Sequence, residues 1–254
     1  MRFKTFAAAA ALAVGTTFAA STTFAATINY SGSEPSLDEL FGNAPPAGLG
    51  LVSYNTPAKV DAAQMHNDQY WSVLGGAGGS IATLIFEIAG NAGSTNFGVF
   101  DKANAANRVQ LWGGSAVQGD QVVMSILADG SVRVNFVDTG VDFADNAFGY
   151  YIEIGSTIFY SDEALNAGGA DQMAAFRGND SDTIQIPGYA AGTFGSNEYL
   201  LAWEDILVPF SDSDYNDLVV GVESVRTVAE PGTLAVLGLG LLGLGMIRRR
   251  AAKA

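Results

Sequence analysis

Six oxygen-bearing side chains crowd one stretch late in the chain: Glu204 and Asp205, then Asp212, Asp214, Asn216 and Asp217. Carboxylate and amide oxygens in that density suit a hard cation, calcium above all, which collects about six to eight oxygen ligands. Two carboxylates about 4 Å apart repel by ~1 kcal/mol in water and by ~4 kcal/mol at an effective dielectric near 20. Packed together they must therefore hold a cation or splay into solvent. Asp and Asn also cap turns through their own backbone, so the residues alone leave a metal loop and a plain turn both open.

The spacing rules out one kind of calcium loop. Asp212, Asp214 and Asn216 stand at positions 1, 3 and 5 of an EF-hand pattern, and Glu223 stands at 12. Position 6, which needs glycine for a sharp turn, is Asp217, and Leu218 to Val222 read as a strand.

Other chemistries find less support. With no cysteine there is no disulfide, thiol nucleophile or thiolate metal site. The single histidine, His66, excludes a multi-histidine metal centre and reads as a surface-loop residue. No nucleophile elbow, zinc-protease or phosphate-loop motif occurs, so no catalytic residue is assigned. Polysaccharide hydrolysis needs a pair of carboxylates, and 26 acidic residues always supply a nominal pair. A secreted polysaccharide-active hydrolase therefore stays as the alternative to a non-catalytic protein. Trp71, Trp112 and Trp203 could stack on sugars, but core packing is the commoner use of Trp in a sandwich.

The elements that must position these residues are strands. Val132, Val134 and Phe136 alternate with polar neighbours, as do Tyr150, Ile152 and Ile154. Gln121 to Leu127 and Ile81 to Ala89 are more evenly apolar, which predicts strands covered on both faces. Leu218, Val220 and Val222 form another stripe, and Asp129-Gly130 between apolar runs predicts a hairpin. A short helix is expected over Ser36 to Phe41, and Asn43 to Gly50 reads as loop. The pattern predicts an all-β, antiparallel β-sandwich, jelly-roll-like, over residues 27–226.

Four segments of this domain carry a resemblance. Tyr160 to Asn166, Asp171 to Phe176, and the pair Tyr199 to Asp205 and Asp212 to Val220 look like the bacterial family called domain of unknown function 4114. Its members close with an aromatic-Glu-Asp segment followed by Asp-x-Asp-aromatic-Asn-Asp-Leu-Val. Where many members have His after the first Asp of the middle segment, Gln172 stands here. The resemblance spans roughly residues 80–226. It implies a secreted or surface β-domain suspected of binding calcium, with Glu204, Asp205, Asp212, Asp214, Asn216 and Asp217 as the carried-over candidates.

The two ends read as addresses. Arg2 and Lys4 precede an apolar run from Phe6 to Val14, and small residues surround Ala25 and Ala26. That order predicts a signal peptide over residues 1–26, cut after Ala25 or Ala26, with Ala19 as the earlier alternative. At the other end, Glu230-Pro231 leads into an uncharged run to Ile247, then Arg248-Arg249-Arg250. The run from Pro231 to Ile247 would reach roughly 25 Å as a helix, the short edge of a membrane span. The arginines should stay cytoplasmic. Between these ends lie all 26 acidic residues against six basic ones, a net of −20, which argues against nucleic acid as a partner. Gly238 to Gly243 matches G-x-G-x-x-G, but no acidic residue follows it, as a dinucleotide site would require.

Glu-Pro, a Gly/Leu run and an arginine cluster over residues 227–254 resemble the PEP-CTERM sorting tag, with Val228-Ala229-Glu230-Pro231 where Val-Pro-Glu-Pro is usual. That resemblance implies a Gram-negative bacterium making exopolysaccharide, and an exosortase that recognises the tail and cuts near Glu230-Pro231. The expected partners are the Sec translocon, signal peptidase, exosortase and, transiently, the inner membrane. Exopolysaccharide is a candidate partner. The expected destination is the cell surface or extracellular matrix, and calcium is the one cofactor the reading admits.

Overall fold

Side chains that alternate in polarity, broken every few residues by turn formers, fold here into strands and little else. The computed structural model describes residues 26–29, 37, 64–75, 79–87, 93–184, 190, 192–208 and 210–228. The segment before Ala26 expected as a signal peptide, the stretch from Asn43 to Gly50 expected as loop, and the expected sorting tail with Glu230, Pro231 and Arg248 to Arg250 lie outside the described residues. Of the helix expected over Ser36 to Phe41 only Leu37 is described, and it is helical. Among the described residues no helix is long and apolar enough to cross a membrane.

In chain order the described strands are β1 (Trp71–Val73), β2 (Ser80–Glu87), β3 (Thr95–Asp101), β4 (Asn104–Trp112), β5 (Gln121–Ile126), β6 (Ser131–Val134), β7 (Val137–Asp142), β8 (Phe148–Ile154), β9 (Thr157–Tyr160), β10 (Met173–Arg177), β11 (Thr183–Ile184), β12 (Gly192–Thr193), β13 (Glu198–Trp203), β14 (Leu218–Glu223) and β15 (Val225–Thr227). One sheet runs β15-β1-β8-β3-β4, with β9 also on β8; the other runs β10-β13-β14-β2-β5-β6-β7. Strands β11 and β12 form a separate small pair, and every strand pairing among the described residues is antiparallel. The two large sheets face each other as a sandwich, the class the alternation predicted.

The core between them is aromatic. Trp71, Phe97, Phe148 and Tyr150 of one sheet meet Tyr199, Leu201, Trp203 and Val220 of the other. Phe97 and Trp203 touch edge to face with centroids 6.5 Å apart, and Trp112 stacks on Phe97 at 4.8 Å. All three tryptophans therefore pack in or against the core rather than forming a sugar-stacking face.

Period two explains a second, smaller core. Alternate residues of β10, β13 and β14 point away from the sandwich interior: Phe176, Leu200, Ala202 and Val219. They are covered by Ala26, Ile28, Leu37, Ile184 and Phe194. Apolar cover on both faces is why Leu200-Leu201-Ala202-Trp203 and Leu218 to Val222 contain no polar alternation. Strand β5, predicted to share that double cover, does not: Val122 and Met124 are buried, whereas Gln121 is exposed and Val123 and Ser125 only half-buried. At the far end, Thr227 pairs with Trp71 and the Val228 N–H donates to the Tyr70 carbonyl, so among the described residues contacts with this sheet extend through residue 228.

The Asp129-Gly130 hairpin forms as expected. Gly130 takes φ +94°, and a Cβ there would lie 2.4 Å from the Phe143 carbonyl oxygen. The next turn corrects the sequence reading. Phe136 does not continue the alternation of Val132 and Val134; it sits with Asn135 in the tight turn from β6 to β7. Both residues have positive φ, 49° and 67°, and the Phe136 ring is 76% exposed. The Asn135 amide oxygen accepts from the Val123 N–H, which holds the turn. Asn tolerates that backbone region, whereas a bulky residue there costs roughly 1–2 kcal/mol. Phe136→Gly should therefore raise the melting temperature by about 2–4 °C. A calorimetric scan that shows a fall would mean the exposed ring makes stabilising contacts.

Candidate metal site

The antiparallel pairing of β13 with β14 builds the site. Trp203 lies opposite Leu218, so Glu204 and Asp205, leaving one strand, face Asp217, entering the other. Strand β10 begins at the same place, with Met173 opposite Trp203. Gln172, just before β10, is fully buried and fastens the loop: its Nε2 donates to the carbonyls of Glu204 and Ile206 at 3.2 and 2.9 Å. Its Oε1 accepts from the Val208 N–H at 2.7 Å. The Glu204 N–H in turn donates to the Gln172 carbonyl. Gln172 thus acts as an amide staple. An imidazole could not reproduce all of these bonds, because it has two nitrogens and no carbonyl-like oxygen.

The loop brings three carboxylates together. One oxygen each from Glu204, Asp212 and Asp214 lie within 4.8 Å of one another. Asp212 is exposed, whereas Asp214 and Glu204 are buried, Glu204 with 0% of its surface exposed. Glu204 Oε1 accepts from the Tyr215 N–H at 2.6 Å, but Oε2 is buried with no hydrogen-bonding partner. An ionised oxygen left so costs several kcal/mol. Burial accordingly pushes the Glu204 acid up to about 7, with the charges of Asp212 and Asp214 adding to the rise. The neighbouring Ser211 hydroxyl and the Tyr215 N–H oppose it.

The other three candidates stand around this trio. Asn216 braces Asp214, donating from its backbone N–H at 3.3 Å and from Nδ2 at 2.8 Å. Asp217 accepts the Asp205 N–H at 2.8 Å, which ties the two ends of the loop. Burial pushes the Asp217 acid up to about 8, with Asp205, Glu204 and Asp214 adding repulsion. Glu223 sits at the far end of β14, opposite Glu198, so the twelfth position of the EF-hand spacing takes no part.

Between the ligand candidates the backbone is bent sharply. Ser213 and Tyr215 have φ of 60° and 56°, an uncommon conformation for residues with a Cβ. Such residues persist where surrounding contacts over-determine them, and they cluster at ligand clamps. Here Tyr215 is held by burial in the second core and by its hydroxyl, which donates to the Asp171 carbonyl at 2.7 Å.

Sequence reasoning missed what lies far along the chain. The Asn29 N–H donates to the Ser213 carbonyl at 2.7 Å, and its Nδ2 donates to the Asp212 carbonyl at 3.1 Å. Asp171 and Glu163 also line the cleft that borders Asp212. The middle segment of the family resemblance, Asp171 to Phe176, was the only signal pointing there; nothing local to Asn29 marks it.

The donor set matches a hard cation. Three carboxylates supply charge and up to six oxygens, and backbone carbonyls or waters can complete a calcium sphere. Comparison with known proteins gives one result. No curated protein and no solved structure matches the chain. Residues 117–225 match the family described as Domain of unknown function (DUF4114). That stretch starts later than the resemblance read from the residues, yet it includes β10, β13, β14 and all six site candidates. The chain carries a DUF4114 domain over residues 117–225, and that domain builds the acidic loop.

Proposed function

We propose that this is an exported, non-catalytic envelope or matrix protein whose β-sandwich is completed by a calcium ion at Glu204, Asp212 and Asp214. The observation that carries the metal reading is the buried, unpartnered Oε2 of Glu204 beside two further carboxylates. A divalent cation would satisfy that oxygen and cancel the repulsion together. Asn216 and Gln172 would orient the loop, and Asp205 with Asp217 would close it. Calcium suits the site better than magnesium because an irregular loop of carboxylates tolerates flexible coordination, whereas magnesium demands near-octahedral geometry.

The export reading rests on the termini. A positive start, a short apolar run and small residues at Ala25 and Ala26 support removal by signal peptidase after Sec translocation. Glu230-Pro231, the apolar run and Arg248-Arg249-Arg250 support transient anchoring in the inner membrane and processing by an exosortase. The acidic body would then face outward, where calcium is plentiful and exopolysaccharide is a partner within reach. Mass spectrometry of the protein from its native cells tests this. The expected chain begins at Ala26 or Thr27, lacks the arginine cluster and is recovered from the cell surface or medium. Intact termini on a cytosolic chain would contradict it.

A further inference from the structure

The acidic body carries one basic face. Five lysines and arginines stand among the described residues, and two of them sit among acids. Arg133 lies opposite Asp138 and its charge acts on Asp129, and the charge of Arg177 acts on Asp180. The other three, Lys102, Arg108 and Arg226, share the outer face of the sheet β15-β1-β8-β3-β4. Trp71 points into the core, so Ser72 points out, and Arg226 stands opposite Ser72. The Lys102 N–H donates to the Ala147 carbonyl, which puts Lys102 in line with Ser72 and Arg226. The next row is Tyr70, Gly149, Phe100 and Arg108. Among the described residues the partners of these three cations are neutral. Lys102 Nζ lies 4.5 Å from the Tyr70 ring centroid, and the Arg108 guanidinium lies 5.6 Å from that of Tyr151. Arg108 also donates to the Tyr160 hydroxyl at 3.0 Å, and Arg226 to Ser72 Oγ at 3.3 Å. The acids that flank these rows in the chain engage other donors. Asp101 accepts from the N–H groups of Ala103 and Ala144, Asp145 from that of Ala147, and Asp162 from that of Ala164 and from the Tyr70 hydroxyl. Glu153, the acid on this face of β8, stands four residues beyond Gly149, roughly 13 Å away. Arg226 is exposed, and Lys102 and Arg108 are half-buried.

We propose that this face binds a linear anionic polysaccharide, with one carboxylate per sugar, laid across the strands. The inference rests on the matrix reading given above for where such a polymer is met, and it needs no metal. From β15 to β4 there are four strand spacings of about 4.8 Å, roughly 19 Å in all. Arg226 at one edge is therefore too far from Lys102 and Arg108 at the other to share one small anion, and the three suit carboxylates spaced along an extended chain. A guanidinium takes a carboxylate through two parallel N–H bonds. The exposed Gln110, on this face of β4 opposite Gly98, offers an amide to sugar hydroxyls, as does Tyr160 through its own hydroxyl. Charge density selects the polymer. Duplex nucleic acid carries one charge per about 1.7 Å and would press most of them against the acidic body, whereas one carboxylate per sugar is sparse enough to meet the cations alone. A membrane surface fits less well, because the exposed large apolar side chains among the described residues all lie off the strands of this sheet.

The test is isothermal titration calorimetry of the chain purified from its native cells, in chelator, against polygalacturonate and against the same polymer with its carboxyls methyl-esterified. The expected result is binding to the acid form that weakens as salt rises, and no binding to the ester. The Lys102→Gln, Arg226→Gln variant should bind at least about ten-fold more weakly, because two of the three cations are gone. The Arg133→Gln, Arg177→Gln variant makes the same change in net charge and should bind as the parent does. Should the first variant fail to fold, Arg226→Gln alone alters an exposed side chain with one hydrogen bond and should still weaken binding several-fold. No binding in chelator, or equal weakening in the two double variants, overturns the proposal and leaves the readings of the termini and of the metal loop standing. Binding that appears only with calcium and is lost in Glu204→Gln places the polymer at the metal loop and overturns this face. Sedimentation of the parent alone reads the other occupant: a dimer that is lost in Lys102→Gln, Arg226→Gln makes the face a contact between copies and overturns the proposal as well.

Discussion

Saturating calcium is expected to raise the melting temperature of the protein by about 5–10 °C. A ligand present at a hundred times its dissociation constant stabilises the folded state by about 2.7 kcal/mol. In a domain of this size each kcal/mol moves the midpoint by roughly 2–4 °C. Two substitutions separate a metal effect from general charge screening. Glu204→Gln keeps an oxygen to accept from the Tyr215 N–H but removes the buried charge. It should abolish the calcium response while leaving the metal-free protein as stable as before, or more so at pH 8, because an uncompensated buried carboxylate is gone. Asp214→Asn should likewise abolish the response. Equal shifts from calcium in the parent and both variants would show that the ion acts elsewhere on the acidic surface. Differential scanning calorimetry in calcium and in chelator reads all of these.

The metal-free protein should also be more stable in mild acid than at pH 8. The folded-state values of Glu204 and Asp217 are pushed up to about 7 and about 8, whereas unfolded carboxylates titrate near 4. Between those limits the folded chain binds more protons than the unfolded one, so stability falls as pH rises through the window. Asp171, pushed up to about 7, acts in the same direction. The expected loss between pH 5.5 and 8 is at least about 5 °C in chelator. Calcium binds the deprotonated carboxylates, so the slope should flatten when the ion is present. Self-repulsion of an acidic body has the same sign. The Glu204→Gln, Asp217→Asn double variant therefore carries the decision: its profile in chelator should be markedly flatter than the parent's. A parent that melts higher at pH 8 than at pH 5.5 in chelator would contradict the buried-carboxylate account.

How much of this could be read from residues alone depends on the range of the interaction. The hairpin at Asp129-Gly130 was legible because the turn chemistry is local. So were the strands around Val132, Tyr150 and Val220, since period two needs only a few neighbours. Phe136 was misplaced because alternation carried through Asn135 although the backbone turned there. The double cover predicted for β5 failed for a different reason. An apolar run is compatible with either one or two buried faces, and only the partner layer decides. For β13 and β14 that layer is supplied in part by Ala26, Ile28 and Leu37, more than 150 residues away in the sequence.

The candidate site shows the same division. Glu204, Asp212 and Asp214 were nominated from the density of acidic residues and from the family resemblance; that they meet follows from the pairing of β13 with β14. Their separate roles could not be seen in the sequence. It is burial that sets Glu204 apart from Asp212, and burial follows from packing by Tyr215 and the second core. Asn216 was nominated as a ligand, and the structure adds that its backbone N–H and Nδ2 brace Asp214. Gln172 and Asn29, which fasten the loop from outside, are joined to it only by tertiary contact.

Equilibrium dialysis of the processed chain against radioactive calcium measures the ion itself. One tightly held ion per chain is expected, lost in both Glu204→Gln and Asp214→Asn. Retention no greater than that of the two variants would contradict it.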